Sequence, residues 1–278
     1  MKVRFFYILL FLCIAALACL LYGFFIEPKR LVIREVSFRA ETYQGPPIRI
    51  VLLSDLHIGG RHTPPSRIAS LKNSVNQLAP DIVLLTGDYI DGSASRSHRS
   101  AEFNKAIEQG LQSLGKIEAP LGVFAVLGNH DNWYDGAWVQ NRLEDSGMSV
   151  LANEGLNLPA LCLIGMTDFD TDYPTADGYE DCQDGRAKIV LTHSPDAFRF
   201  LRTDTALAVA GHTHGGQINL PLIGRRVTST EAGKPLAYGL KEVGGVPVYI
   251  TAGIGTSLLP ARFRAPPEIV VITLKQAD

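Results

Sequence analysis

Short apolar, β-rich runs that stop abruptly at polar residues recur along this chain. Ile48–Leu53 runs into Ser54-Asp55-Leu56-His57, Ile82–Leu85 into Thr86-Gly87-Asp88, and residues 123–127 into Gly128-Asn129-His130-Asp131. Residues 189–191 lead to Thr192-His193-Ser194, and residues 206–210 to Gly211-His212-Thr213-His214. Runs apolar at successive positions predict strands buried on both faces. Between them, helical spacing predicts helices over 66–78, 101–114, 137–146 and 195–201. Alternation of the two predicts an α/β sandwich. Residues 31–38 alternate as a half-buried strand, and 246–251 and 269–274 supply two more strands. The stretch 215–264, rich in Gly and Pro, reads as loops without a core of its own. One catalytic domain is therefore expected over 31–278, behind an N-terminal segment 1–30.

That segment has its own pattern. Lys2 and Arg4 precede an uncharged run over 5–26, which Glu27, Lys29 and Arg30 close. At ~1.5 Å per helical residue the run matches the ~30 Å hydrocarbon core of a bilayer. The competing reading is a cleaved signal peptide, whose apolar stretch is usually ~7–15 residues. Ala16-Leu17-Ala18-Cys19 resembles a lipoprotein cleavage site, yet apolar residues continue through Phe25. The expectation is an uncleaved membrane anchor. Basic residues are nearly balanced across it, so its orientation stays open.

Composition changes the picture only in part. A formal charge of −2 over 278 residues gives no basic field of the kind that draws in a nucleic-acid polymer. Cys13 and Cys19 lie in the apolar segment. Cys162 and Cys182 fit one bridge or two inert thiols equally well.

Five of the seven histidines fall in the strand-end blocks. One histidine after a strand is more often a hydrogen-bonded structural residue, but five such blocks point to a shared centre. In extended backbone, residues i and i+2 face the same side, so Asp55 with His57, and His212 with His214, can reach one ion together. Asn129 and His130 are adjacent and should diverge, one to metal and one to acid–base work. Imidazoles mixed with carboxylate and amide oxygens suit Mn²⁺ first, with Fe or Zn²⁺ as alternatives. Two divalent ions against Asp55 and Asp88 leave a net-positive centre, which fits an anionic phosphoryl group.

The ordered blocks D-x-H, G-D, G-N-H-D, a single His and G-H-x-H resemble the calcineurin-like metallophosphoesterase family. The resemblance implies a four-layer α/β/β/α sandwich. It implies a first metal held by Asp55, His57, Asp88 and His214, and a second completed by Asn129, His193 and His212, with Asp88 as the bridge. His130 would protonate the leaving oxygen, and Asp131 would steady His130. The Arg that Ser/Thr protein phosphatases carry soon after the second aspartate is missing from Asp88-Tyr89-Ile90-Asp91-Gly92. Purple acid phosphatases place a Tyr where this chain has Asp91. The anchor, with Gly211–Ile218 and Leu220-Pro221, is similar to bacterial membrane-associated phosphodiesterases, including UDP-2,3-diacylglucosamine pyrophosphatases. That implies phosphodiester or pyrophosphate cleavage in a lipid-linked or nucleotide-linked substrate at the bacterial inner membrane. A phosphomonoesterase is the nearest alternative, and a non-catalytic metal-binding scaffold a more distant one.

The tail suits such a substrate. Leu222-Ile223-Gly224-Arg225-Arg226 and residues 258–264 mix apolar and basic side chains, so Arg262 and Arg264 are expected to grip phosphate while leucines meet a bilayer. An ordinary loop with packed leucines and solvated arginines explains the same composition. His62 and His98, outside the blocks, read as surface residues.

Overall fold

The computed structural model of the chain describes residues 2–277. In chain order its elements are α1 (Lys2–Leu21), β1 (Val32–Ala40), β2 (Ile48–Leu53), α2 (Pro65–Gln77), β3 (Ile82–Leu85), α3 (Ala101–Leu114), β4 (Val123–Ala125) and α4 (Asn129–Asp145). There follow β5 (Ser149–Val150), β6 (Glu154–Asn157), β7 (Leu161–Gly165), β8 (Ala187–Leu191), β9 (Thr205–Ala210), β10 (Asn219–Leu220), β11 (Gly224–Arg225), β12 (Gly239–Val243), β13 (Val246–Ile250) and β14 (Glu268–Gln276).

Two six-stranded sheets form the body, in the orders β1-β14-β2-β3-β4-β5 and β12-β13-β9-β8-β7-β6. Within the first, β2 to β5 run parallel; within the second, β13, β9, β8 and β7 do. The period of two along each strand sorts the core. Ile50, Leu52, Ile82, Leu84 and Phe124 point between the sheets, where they meet Leu163, Ile189, Leu191, Leu207 and Val209. Their neighbours Val51, Leu53, Val83, Leu85 and Ala125 point the other way, onto Ile68 and Val75 of α2, Ile107 and Leu111 of α3 and Leu143 of α4. A third cluster, with Ile164, Val190, Ala208 and Ile250, covers the outer face of the second sheet.

That outer layer is thinner than the pattern suggests. The helix expected over 195–201 is a 3₁₀ segment, Pro195–Phe200, capped by Ser194. Six residues are too few to repay α-helix nucleation, and the segment is held by burying Ala197 and Phe198. Helix α4 begins at Asn129 rather than near 137, and kinks where Asp135 adopts an extended φ of 179°. The loop-rich stretch contains β12, whose Lys241 and Glu242 are exposed and disguise it as a loop. Cys162 and Cys182 form a disulfide.

Helix α1 buries none of its residues and continues through a π turn, Tyr22–Ile26, and a 3₁₀ turn, Glu27–Lys29. The whole helix, Lys2–Lys29, is long and apolar enough to cross a membrane. Its last turns are seated on the body: Gly23 O accepts from Arg262 N at 2.9 Å, and the buried Glu27 carboxylate accepts from Ala265 N at 2.7 Å.

Candidate metal centre

The carboxyl ends of β2, β3 and β4 in one sheet, and of β8 and β9 in the other, meet along one edge, as expected of an α/β site. Backbone bonds stitch the blocks there: Asp55 N to Gly87 O, His57 N to Asp88 O and Gly211 N to His193 O, each 3.0 Å. Extended backbone is not what brings the i and i+2 pairs together. Asp55, His57, Asp88, His212 and His214 all take left-handed φ, between 45° and 68°. Each such non-glycine residue costs on the order of 1 kcal/mol or more, and strain of this kind concentrates at functional sites. The turn geometry, not the pleat, aims these side chains at one centre. Glycines make the turns possible: a Cβ on Gly211 would strike Ser54 Oγ, and one on Gly128 would strike Asp88 Oδ1.

Asp55, His57 and His214 bring one ligand atom each within 4.8 Å of one another, and so do Asp88, His193 and His212. The Nε2 atoms of His57 and His214 face each other at 3.1 Å, and His214 Nε2 lies 3.5 Å from Asp55 Oδ1. Asp88 Oδ2 sits between the two sets, 3.3 Å from His193 Nε2 and 3.7 Å from His57 Nε2. Asn129 Oδ1 closes on His193 Nε2 at 3.1 Å. All seven side chains are buried. Burial drives the His57 imidazole down to about 3, and burial with His57 nearby holds His214 well below its usual range. Both rings are therefore neutral and present lone pairs. Burial would raise the Asp88 carboxyl, but His193 first and then His130 and His57 hold it well below the usual carboxylate range. An ionised Asp88 beside the neutral His57 and His214 rings, with His193, His212 and Asn129 converging on its other side, is a donor set that fits two divalent cations.

The groups behind the ligands fix their orientation. His193 Nδ1 donates to Thr86 O at 2.7 Å, which orients Nε2 toward Asp88 Oδ2 and Asn129 Oδ1. His212 Nε2 lies 3.4 Å from Asp170 Oδ2, which turns Nδ1 toward the centre. Asp168, buried, accepts from Asp170 N, Thr171 N and Thr171 Oγ1, and so shapes the loop that carries Asp170. Neither aspartate was among the expected residues. The signal was present: Leu161–Gly165 is one more apolar run, separated by only Met166 and Thr167 from Asp168-Phe169-Asp170.

His130 Nδ1 meets Gly92 O at 3.1 Å, which leaves Nε2 facing the cleft, 3.9 Å from Asp88 Oδ2. The partner expected for His130 does something else. Asp131 accepts from four backbone N–H groups, those of Asp88, Tyr89, Ile90 and Gly128, at 2.8, 2.8, 3.3 and 2.9 Å. It stands three residues past Gly128, the N-cap of α4, and folds back onto it, so its carboxylate is occupied in clamping the β3 and β4 loops together. Burial and then Asp88 push this carboxyl up, and the N–H groups of Gly128 and Tyr89 pull against that by holding the carboxylate form.

Arg262, expected to grip phosphate, is turned inward instead. It is 0% exposed, and its guanidinium donates four hydrogen bonds to the carbonyls of Gly255, Ala252 and Ala265. The arginine is a strut for the 252–265 segment and does not face substrate; burial lowers it to about 10. Arg264 is exposed and does not line the cleft. The arginine that does is Arg61. His62 is buried, with Nε2 3.0 Å from Pro260 O, whereas His98 is exposed as expected. The cleft above the centre holds about 830 Å³ and has Trp133, Leu258, Leu259 and Pro260 among its walls.

Residues 48–216 match the family of calcineurin-like phosphoesterases. The uncharacterized metallophosphoesterase YkuE of Bacillus subtilis is 30% identical over 92% of this chain and 90% of its own length. A transmembrane protein with metallophosphoesterase domain from Danio rerio is 30% identical over 83% of this chain, which spans about half (54%) of that protein. The crystal structure of a dimetal phosphatase from Danio rerio shares the fold, with a TM-score of 0.50 at 12% identity, over 82% of this chain and 99% of that one.

Proposed function

The chain belongs to the calcineurin-like phosphoesterase family of dimetal-dependent phosphoester hydrolases, and from that premise we propose that it cleaves a phosphodiester or pyrophosphate in a lipid-linked or nucleotide-linked substrate at a membrane surface. The observation that carries the reading is the placement of Asp88 Oδ2 between two ligand sets, below a cleft with an apolar far wall. A monoester needs room for one substituent on phosphorus; a diester needs room for two.

In this reading Asp55, His57, Asp88 and His214 hold one ion, and Asp88, Asn129, His193 and His212 the other, with Mn²⁺ the first choice. Two divalent ions here would supply positive charge for the phosphoryl oxygens and make water nucleophilic at neutral pH. His130, held at Nδ1 by Gly92 O, donates a proton from Nε2 to the leaving oxygen. Arg61 at the cleft wall pairs with anionic substrate oxygens.

The Lys2–Lys29 helix supports a single-pass anchor in the bacterial cell membrane. The Cys162–Cys182 disulfide supports a catalytic part on the oxidising, extracytoplasmic side, because such bonds persist there and not in the cytosol. A membrane-impermeant protease added to intact spheroplasts should then degrade the body; full protection would refute that topology.

The activity is tested with the manganese-loaded full chain on a bis-aryl phosphodiester and the matching aryl monoester. Diester turnover is expected to dominate, to vanish on chelation and to fall by about 10²–10⁴-fold in His130→Ala with metal content unchanged. Monoester preference would transfer the assignment to a phosphomonoesterase. Full metal-dependent turnover in Asp88→Ala would refute the bridging role.

A further inference from the structure

A second groove leaves the metal centre sideways. It holds about 300 Å³, and Ile218, Leu220, Val227, Leu258 and Leu259 supply its apolar walls. It shares His214, Ser229, Ser257, Leu258 and Leu259 with the cleft, so the two adjoin beside a metal ligand. No acidic side chain lines it among the described residues, and Arg226 stands at its edge. A volume of this size is at the lower end for a specific ligand site.

The backbone around it is built against local preference. Leu258, in the groove wall, and Leu222, at the tip of the β10–β11 ribbon, both take left-handed φ, 58° and 64°. Both are almost wholly exposed, at 97% and 108%. Glycine or asparagine would relieve the backbone and remove an apolar side chain from water. Leucine at both tips meets neither demand in an aqueous surface, and satisfies the second only against hydrocarbon.

The same segments meet the end of the membrane-length helix. Ile218 pairs with Phe263, whose ring lies edge-on to Tyr22 at 6.2 Å, and Arg262 N donates to Gly23 O. Gln217 Nε2 donates to Ser257 O and Leu259 O at 3.0 and 2.8 Å, tying both groove walls together. Phe25 and Ile26, at the helix end, remain about half exposed. The groove wall at Ile218 and the helix end are therefore joined through Phe263, and Leu258 projects from that groove.

We propose that this groove is an acyl-chain subsite. The substrate is an amphiphilic phosphoester whose phosphoryl group lies at the metal centre while its hydrocarbon runs along Ile218, Leu220, Val227, Leu258 and Leu259. It enters from the leaflet where α1 ends. This deepens the function proposed above and rests on its metal-dependent phosphoester chemistry.

The test is titration calorimetry of manganese-loaded full chain, in lipid nanodiscs, with alkylphosphonates from methyl to octyl. Affinity should tighten with chain length by up to about fourfold per buried methylene. The double variant Val227→Glu with Leu259→Glu should flatten that slope, each comparison being made in the same nanodiscs so that partition into lipid cancels. As a second measurement, an octylphosphonate carrying a terminal diazirine should cross-link within residues 218–227 and 257–259. A flat series in the parent chain overturns the subsite, as does a slope that survives the double variant. Adducts confined to α1 or lipid would show mere bilayer partition and overturn it equally. Loss of diester hydrolysis with the slope intact would count against the phosphodiesterase reading and leave the subsite standing.

Discussion

Gly128→Ala isolates the steric contribution of one glycine to the metal centre. Gly128 has φ −106° and ψ 177°, an extended conformation that alanine adopts without strain, so any effect comes from the added methyl. A Cβ there would stand 2.7 Å from Asp88 N and 2.9 Å from His193 Cε1, besides striking Asp88 Oδ1. Backbone and ring must retreat by roughly 0.5–0.7 Å to reach ordinary contact, an overpacking that costs about 1–3 kcal/mol. More telling is what moves. Asp88 and His193 belong to the same ligand set, and Asp88 also faces His57, so both sets lose their alignment. Disturbing the support of a metal site typically lowers affinity by about 10–100-fold, which is the loss expected here. The assay is manganese binding by calorimetry, with elemental analysis of the dialysed protein. Gly147→Ala is the control: φ is +86° and nothing lies within 4 Å of its Cβ, so it pays about 1–2 kcal/mol of backbone strain and should keep both ions. Parent-like affinity in Gly128→Ala would refute the reasoning. Equal metal loss in both variants would also refute it, since general destabilisation would then suffice.

Asp131→Asn places an amide nitrogen against backbone N–H donors, so melting temperature and metal content should fall together, by about 1–3 kcal/mol of stability for each unsatisfied donor; a shifted pH–rate profile with unchanged stability would restore a direct role beside His130. Asp170→Ala should weaken metal binding about 10–100-fold by releasing His212, and an unchanged affinity would make Asp170 irrelevant to the site. Arg262→Met leaves three buried carbonyls without their donor and should cost several kcal/mol, on the order of 1–3 for each. Its folded fraction should keep the parent KM, whereas a raised KM would identify Arg262 as a substrate ligand. Burial lowers the His62 imidazole below its ordinary 6.5, so the unfolded chain binds the extra proton and stability should fall as pH drops through 6.5. His62→Gln should flatten that part of the melting-temperature profile, and an unaltered profile would count against the assignment.

Much of this molecule is written locally. Ile48–Leu53 and Ile82–Leu85 are strands because they are apolar at every position, and Ala101–Leu114 is a helix because its apolar residues recur at helical spacing behind a Ser100 cap. The identities of the seven converging side chains follow from chemistry at strand ends, which a single strand and its turn encode. The membrane-length helix is likewise a matter of composition along one segment. Tertiary structure decided whatever depends on partners far away in the chain. Asp131 is committed to loops 41 to 43 residues earlier, so it clamps Asp88 and Tyr89 instead of steadying its neighbour. Arg262 became a buried strut because Gly255 O and Ala252 O converge on it, while Arg61, from another loop, lines the cleft. Asp55 with His57, and His212 with His214, converge through left-handed turns that abutting sheet edges impose, where an isolated strand would have kept its pleat. Local sequence sets which groups are available and how each segment prefers to run. The close approach of two sheets, through glycines such as Gly128 and Gly211, sets which of those groups meet.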